Sequence, residues 1–184
     1  MSFDLAGNGM VGLTRDALVT LRAVLFRDAG ANAAAYLQEA GYAGGAALYQ
    51  AFAAWSASRG LPAPESMPAS EFQERGAEFF AELGWGDLAV GTLHDSVLTL
   101  DSGNWAESDP ASAMQFPGCY LSAGLLADFF GRVAGAQLAV MEVECRSMGS
   151  ERCRFLLGSS ETMQHIYDGM SQGVHYDAAL EQMA

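Results

Sequence analysis

The amino-acid sequence predicts an α+β fold in which an antiparallel sheet of two hairpins is packed with helices. Three observations carry that expectation. Apolar residues recur at helical spacing as far as Gly84, the pattern then changes to strand-like alternation, and two turn signals interrupt the alternating part. The same change divides the chain into a helical N-terminal part, 1–84, and a mixed core, 85–184, read together as a single domain.

Thr14 is placed to cap a first helix running to about Phe26, with Leu18, Leu21 and Leu25 on one face. A second helix is expected over 31–58. Its Ala40, Gly41, Gly44, Gly45 and Ala47 let another backbone approach closely, within the fold or across a dimer. Pro62 and Pro64 mark the segment 59–67 as a loop. Ser70 with Gln73 reads as a capping box for a third helix, which Gly84 ends. Residues 87–92 and 97–100 then form a hairpin turned at His94-Asp95-Ser96, and a loop follows over 101–118. The segment 119–134 is helical, with Leu121, Leu125, Phe129 and Val133 at four-residue spacing. A second hairpin joins 137–146 to 152–157 through Met148-Gly149-Ser150, and Ser159 or Ser160 caps a last helix through Met163, Ile166 and Met170.

Composition excludes several functions. The formal net charge is −13, and all nine basic residues are arginine, with no lysine at all. An acidic surface repels phosphate backbones, so direct nucleic-acid binding is not expected. The lack of lysine rules out a Schiff-base lysine and the P-loop lysine. Hydrophobic residues make up 51% of the chain and charged ones 17%, which favours a large core, an internal cavity or an apolar subunit interface. Residues 1–12 lack a basic start followed by an apolar run, and no apolar stretch is long enough to span a bilayer, so a soluble, cytoplasmic protein is expected. The Gly7-Asn8-Gly9-Met10-Val11-Gly12 run spells a dinucleotide fingerprint, but too few residues precede it to form the strand it needs. His165 and His175 have no partner at ligand spacing.

The second hairpin carries the chemistry. With Gly149 at its turn, Cys145 and Cys153 lie opposite one another, about 4.5–5.5 Å apart at Cβ and close enough to share a tetrahedral ion. Cys119 stands at a helix start, where the helix dipole favours thiolate. Glu142 is a fourth candidate, but positions three apart on a regular strand face opposite ways. An irregularity at Val143–Glu144 is therefore expected. Three thiolates and a carboxylate around a divalent zinc leave a net −2, and Arg146, Arg152 and Arg154 flank the hairpin as compensation would require. Four protein ligands make a closed, structural site. From spacing alone, three small buried core cysteines stand level with a metal site.

The residues Gly118-Cys119, the run from Met141 to Gly149, and Glu151-Arg152-Cys153-Arg154-Phe155 resemble the 4-vinyl reductase domain family. The fold of that family is similar to subunits of the TRAPP vesicle-tethering complexes. In its phenol- and xylene-responsive sensor members, a zinc is held by a cysteine, a glutamate and two further cysteines. Cys119, Glu142, Cys145 and Cys153 reproduce the separations of 23, 3 and 8 residues found there. The resemblance implies a structural Zn²⁺ and a ligand pocket between sheet and helices, close to the zinc. It also implies a pocket tryptophan before the first cysteine, a role carried to Trp105, although this chain is shorter between the two. His94 is the nearest candidate for the pocket histidine of those sensors, and Phe116, Tyr120 and Phe129 are candidates for an aromatic wall; ordinary core packing accounts for these equally well.

Three functions remain open. The first is a zinc-stabilised sensory domain for a small hydrophobic or aromatic molecule, signalling through a homodimer or partner protein. The second is an enzyme or accessory carrier in tetrapyrrole (bacteriochlorophyll) metabolism; the sequence offers no nicotinamide or flavin site to supply hydride. The third is a ligand-free assembly module, which a filled core would favour and a deep cavity would oppose.

Overall fold

A computed structural model describes residues 4–182 of the chain. The expectations of a leaderless start at Met1 and of a domain running to Ala184 thus reach outside the described residues at both ends. The elements are α1 (Arg15–Ala29), α2 (Asn32–Ser58), α3 (Ala69–Glu82), β1 (Ala89–His94), β2 (Val97–Ser102), α4 (Tyr120–Ala134), β3 (Ala139–Glu144), β4 (Cys153–Gly158), α5 (Ser160–Ser171) and α6 (Tyr176–Glu181). One antiparallel sheet of order β1-β2-β4-β3 joins the two hairpins through β2 and β4. Among the described residues, no helix is long and apolar enough to cross a membrane.

Helix starts follow local chemistry. Thr14 and Ser159 each accept a backbone N–H of the first turn, as capping residues do. The expected capping box at Ser70 does not form: α3 begins one residue earlier, after Pro68, and no side chain caps it. Proline fixes an entry angle suited to a helix start, which makes the side-chain cap dispensable. The first helix runs to Ala29 and buries Leu18 and Arg22, whereas Leu21 is exposed. The short α6 was not expected from the sequence; His175 caps it through Nδ1 and the Asp177 N–H.

The sheet is covered on both faces. Phe155, Leu157 and Val140 point into a core with Leu48, Phe52, Phe79, Phe80, Leu126 and Phe129 of α2, α3 and α4. Leu156, Val97 and Val143 point the other way, against Met163 and Ile166 of α5 and Tyr176 and Leu180 of α6. The glycines of α2 serve contacts inside the fold. A Cβ on Gly41 would collide with the carbonyl oxygen of Leu121, and one on Gly124 with that of Gln38, so α2 and α4 meet backbone to backbone. That contact brings the N-terminus of α4 against the second hairpin.

Candidate metal centre

The four predicted donors come together. One ligand atom from each of Cys119, Glu142, Cys145 and Cys153 lies within 4.8 Å of the others, and all four residues are buried. Two structural devices achieve this. Cys119 is the residue just before α4. On β3, the pairing register shifts between Glu142 and Glu144. The contacts show where the extra residue goes. Val143 packs in the α5–α6 core, and the Glu144 carboxylate accepts from the Tyr176 hydroxyl of the same layer. Two successive side chains therefore face α5 and α6, and Glu142 and Cys145 share the opposite face, as a bulge allows. Glu144 pairs with Arg154, so Cys145 and Cys153 are the next residues along the two chains. Gly149, at φ 91°, closes the intervening turn in a conformation that favours glycine.

The donor geometry fits a tetrahedral cation. Cys119 Sγ and Cys145 Sγ are 3.8 Å apart; two sulfurs each about 2.3 Å from one zinc at the tetrahedral angle would be separated by about the same distance. Glu142 Oε2 accepts the Cys119 N–H at 2.8 Å. Its Oε1 is buried with no hydrogen-bond partner. Leaving such an oxygen buried and unmatched costs about 1–3 kcal/mol, more for a charged group, and coordination of a cation removes that cost. Burial, and then the neighbouring Cys145, push Glu142 well above the usual carboxylate range. Burial first, then the two other thiols and Glu142, raise Cys119 likewise. Cys145 moves the opposite way, because Cys119 and Cys153 hydrogen-bond its thiolate. The four donors by themselves thus hold on to protons, and a bound dication would supply the positive charge that lets them ionise.

The arginines expected to balance this centre are engaged elsewhere. Arg154 pairs with Asp101 at 2.6 Å, and Arg152 with Glu144 at 3.0 Å, on the α5–α6 side of the sheet. Arg146 enters no ion pair among the described residues. The alternation that carries Cys153 inward carries Arg152 and Arg154 outward, which the sequence pattern contained but the charge argument overlooked.

Sequence reading missed Glu107. It is fully buried, and its carboxylate accepts the Leu121 N–H at 3.1 Å and the Ser122 N–H at 2.7 Å, together with the Ser122 hydroxyl. Burial raises its pKa to about 7, against these hydrogen bonds, which act to lower it. No spacing signal marks a single glutamate in an otherwise polar loop.

The aromatic candidates separate into two groups. Phe116 and Tyr120 line a cleft of about 760 Å³ bounded by α2, the start of α4, β3 and α5. Cys119 and Glu142 form part of its wall, and Met163, Tyr167 and Met170 of α5 close the other side. Trp105 and Phe129 are not among the cleft-lining residues. Trp105 is 0% exposed, stacks on Trp85, and donates its indole N–H to Ser122 Oγ at 2.7 Å. Phe129 packs against Phe52, Phe80 and Phe130. His94 is exposed at the end of β1, with Nδ1 3.2 Å from Ser96 Oγ.

Residues 104–159 match the family model of the vinyl-4-reductase domain, the same stretch that carries the four donors. No curated protein matches the chain. Among solved structures, the chain is similar in fold to the phenol-responsive sensory domain of the transcription activator PoxR, solved with phenol, at a TM-score of 0.63 and 18% identity. That match covers 83% of this chain and 77% of the other. A vinyl-4-reductase family protein from Methanocaldococcus jannaschii aligns at a TM-score of 0.49 and 22% identity, over 66% of each chain.

Proposed function

We propose that this chain, similar to the vinyl-4-reductase domain over residues 104–159, is a zinc-stabilised sensory domain that binds a small hydrophobic or aromatic molecule. The observation that carries this reading is the cleft of about 760 Å³, whose wall includes Cys119 and Glu142. Its volume lies within the range of small-molecule sites, about 300–1,000 Å³. Phe116 and Tyr120 supply an aromatic wall, and the methionines of α5 a deformable one. Cys119, Glu142, Cys145 and Cys153 hold the zinc as a closed site, with no position left for substrate. The zinc fixes the second hairpin to α4, and the cleft stands on that joint. Trp105 acts from behind the wall, through Ser122, as support rather than as a contact surface. A cavity of this size argues against a ligand-free assembly module. Leu13 and Leu21 beside α1, and Tyr36 on α2, present exposed apolar surface suited to a homodimer or partner that reads the bound state.

Elemental analysis of protein purified without added metal should find one zinc per chain, and native mass spectrometry should find two chains per particle. Phenol and its alkyl derivatives should raise the melting temperature and perturb tryptophan fluorescence. Metal-free protein that melts as the zinc-loaded form does would overturn the structural role, and a ligand panel without thermal shift would overturn the sensory one.

A further inference from the structure

Next to the cleft, and sharing Ala34, Phe116 and Tyr120 with it, lies a second cavity of about 720 Å³ between α1, the start of α2 and the loop at 109–116. Its walls are largely apolar, through Val19, Ala23, Phe26 and Phe116, but Arg22 is set among them. Arg22 is 2% exposed. Its guanidinium donates to two neutral oxygens, the Glu107 carbonyl at 2.6 Å and Ser147 Oγ at 3.4 Å. Among the described residues it forms no ion pair, whereas Arg152 and Arg154 each face a carboxylate. A guanidinium carries five N–H donors, and a buried charge without a counter-charge is costly. The Glu107 carboxylate feels the charge of Arg22 only weakly, and it is taken up by the N-terminus of α4. The positive charge of Arg22 is thus held in place by neutral groups and directed at an apolar cavity.

We infer that this cavity binds an apolar monocarboxylate, with its carboxylate set on the Arg22 guanidinium and its hydrocarbon or ring body among Val19, Ala23, Phe26 and Phe116. A planar guanidinium fork matches a carboxylate bidentately. Asp109 also borders the cavity, its carboxylate accepting the Ala111 N–H. That second negative group opposes a dianion such as a phosphate and leaves a single charge as the matching one. The site goes beyond the neutral aromatic ligand proposed for the cleft, and it does not depend on it.

The test is calorimetric titration of the zinc-loaded full chain with 3-phenylpropanoate and, in parallel, with 3-phenylpropan-1-ol, which has the same skeleton without the charge. The acid should bind about tenfold more tightly or better. Arg22→Met keeps an apolar stem and should erase the preference. Ala23→Phe fills the cavity from its exposed rim, so it should block the acid while metal content and the phenol response of the cleft persist. Equal binding of acid and alcohol, no binding of the acid, or acid binding that survives both substitutions would overturn the inference. If phenol produces no shift but the acid binds as described, this inference stands and the reading of the cleft fails.

Discussion

Two buried glutamates meet the N-terminus of α4, and they are held in opposite ways. Both oxygens of Glu107 are occupied by donors of the chain: the N–H groups of Leu121 and Ser122 and the Ser122 hydroxyl. Glu142 has one oxygen on the Cys119 N–H and the other with no partner. A side chain that is fully satisfied is a cap, and one left half-satisfied beside three thiols is a ligand. The same residue type at the same helix end therefore acquires two chemistries from the donors around it.

The comparison can be broken most severely from the Glu142 side. Cys153→Ser should abolish stoichiometric zinc and cost about 3–5 kcal/mol in urea unfolding, because the remaining buried thiols lose their common partner. Wild-type stability in the variant would favour three inert core cysteines instead. Glu107 should report through pH. Its folded pKa of about 7 lies above the ordinary 4.5, so ionisation is harder in the folded chain. Its contribution is fully present below about pH 4.5, declines as pH rises, and levels off above pH 7, a span of about 3 kcal/mol. Subtracting the unfolding curve of Glu107→Gln from that of the native chain across pH 5–8 should expose that slope; parallel curves would mean that Glu107 stays ionised. Glu142→Gln keeps an acceptor for the Cys119 N–H but removes the anion. Chelator competition should find zinc about 10–100-fold weaker while helicity is retained. Equal weakening by Glu107→Gln would erase the distinction between cap and ligand. Gly149→Ala, in the turn that sets Cys153 beside Cys145, should cost about 1 kcal/mol by thermal melting with zinc still bound.

The hairpins, their order and the bulge were legible in the sequence because they depend on local patterns: period, turn residues and the demand that Glu142 and Cys145 face one ion. The bulge was legible only because the ligand set was assumed. What stayed hidden depends on long-range partners. Arg22 lies on a helix face that periodicity assigns to leucines, and only the loop carrying Glu107 and the turn carrying Ser147, both far away in sequence, explain its burial. The flanking arginines suggested compensation by proximity, but strand alternation sends Arg152 and Arg154 to the other layer. Trp105 aligned with a pocket residue by order along the chain; its depth is set by Trp85, Phe80 and Phe155, which no spacing rule connects. The helix α6 is six residues long, too short for a periodic signal.

The contact between α2 and α4 has a mechanical consequence. Where Gly41 and Gly124 let backbone meet backbone, there are no side-chain rotamers to rearrange and no compressible layer between the helices. The pair behaves as a fixed post. A guest pressing on the cleft therefore displaces the elements joined to that post by side chains alone, α1 on one flank and α5 on the other, and any message about its arrival leaves by those two routes.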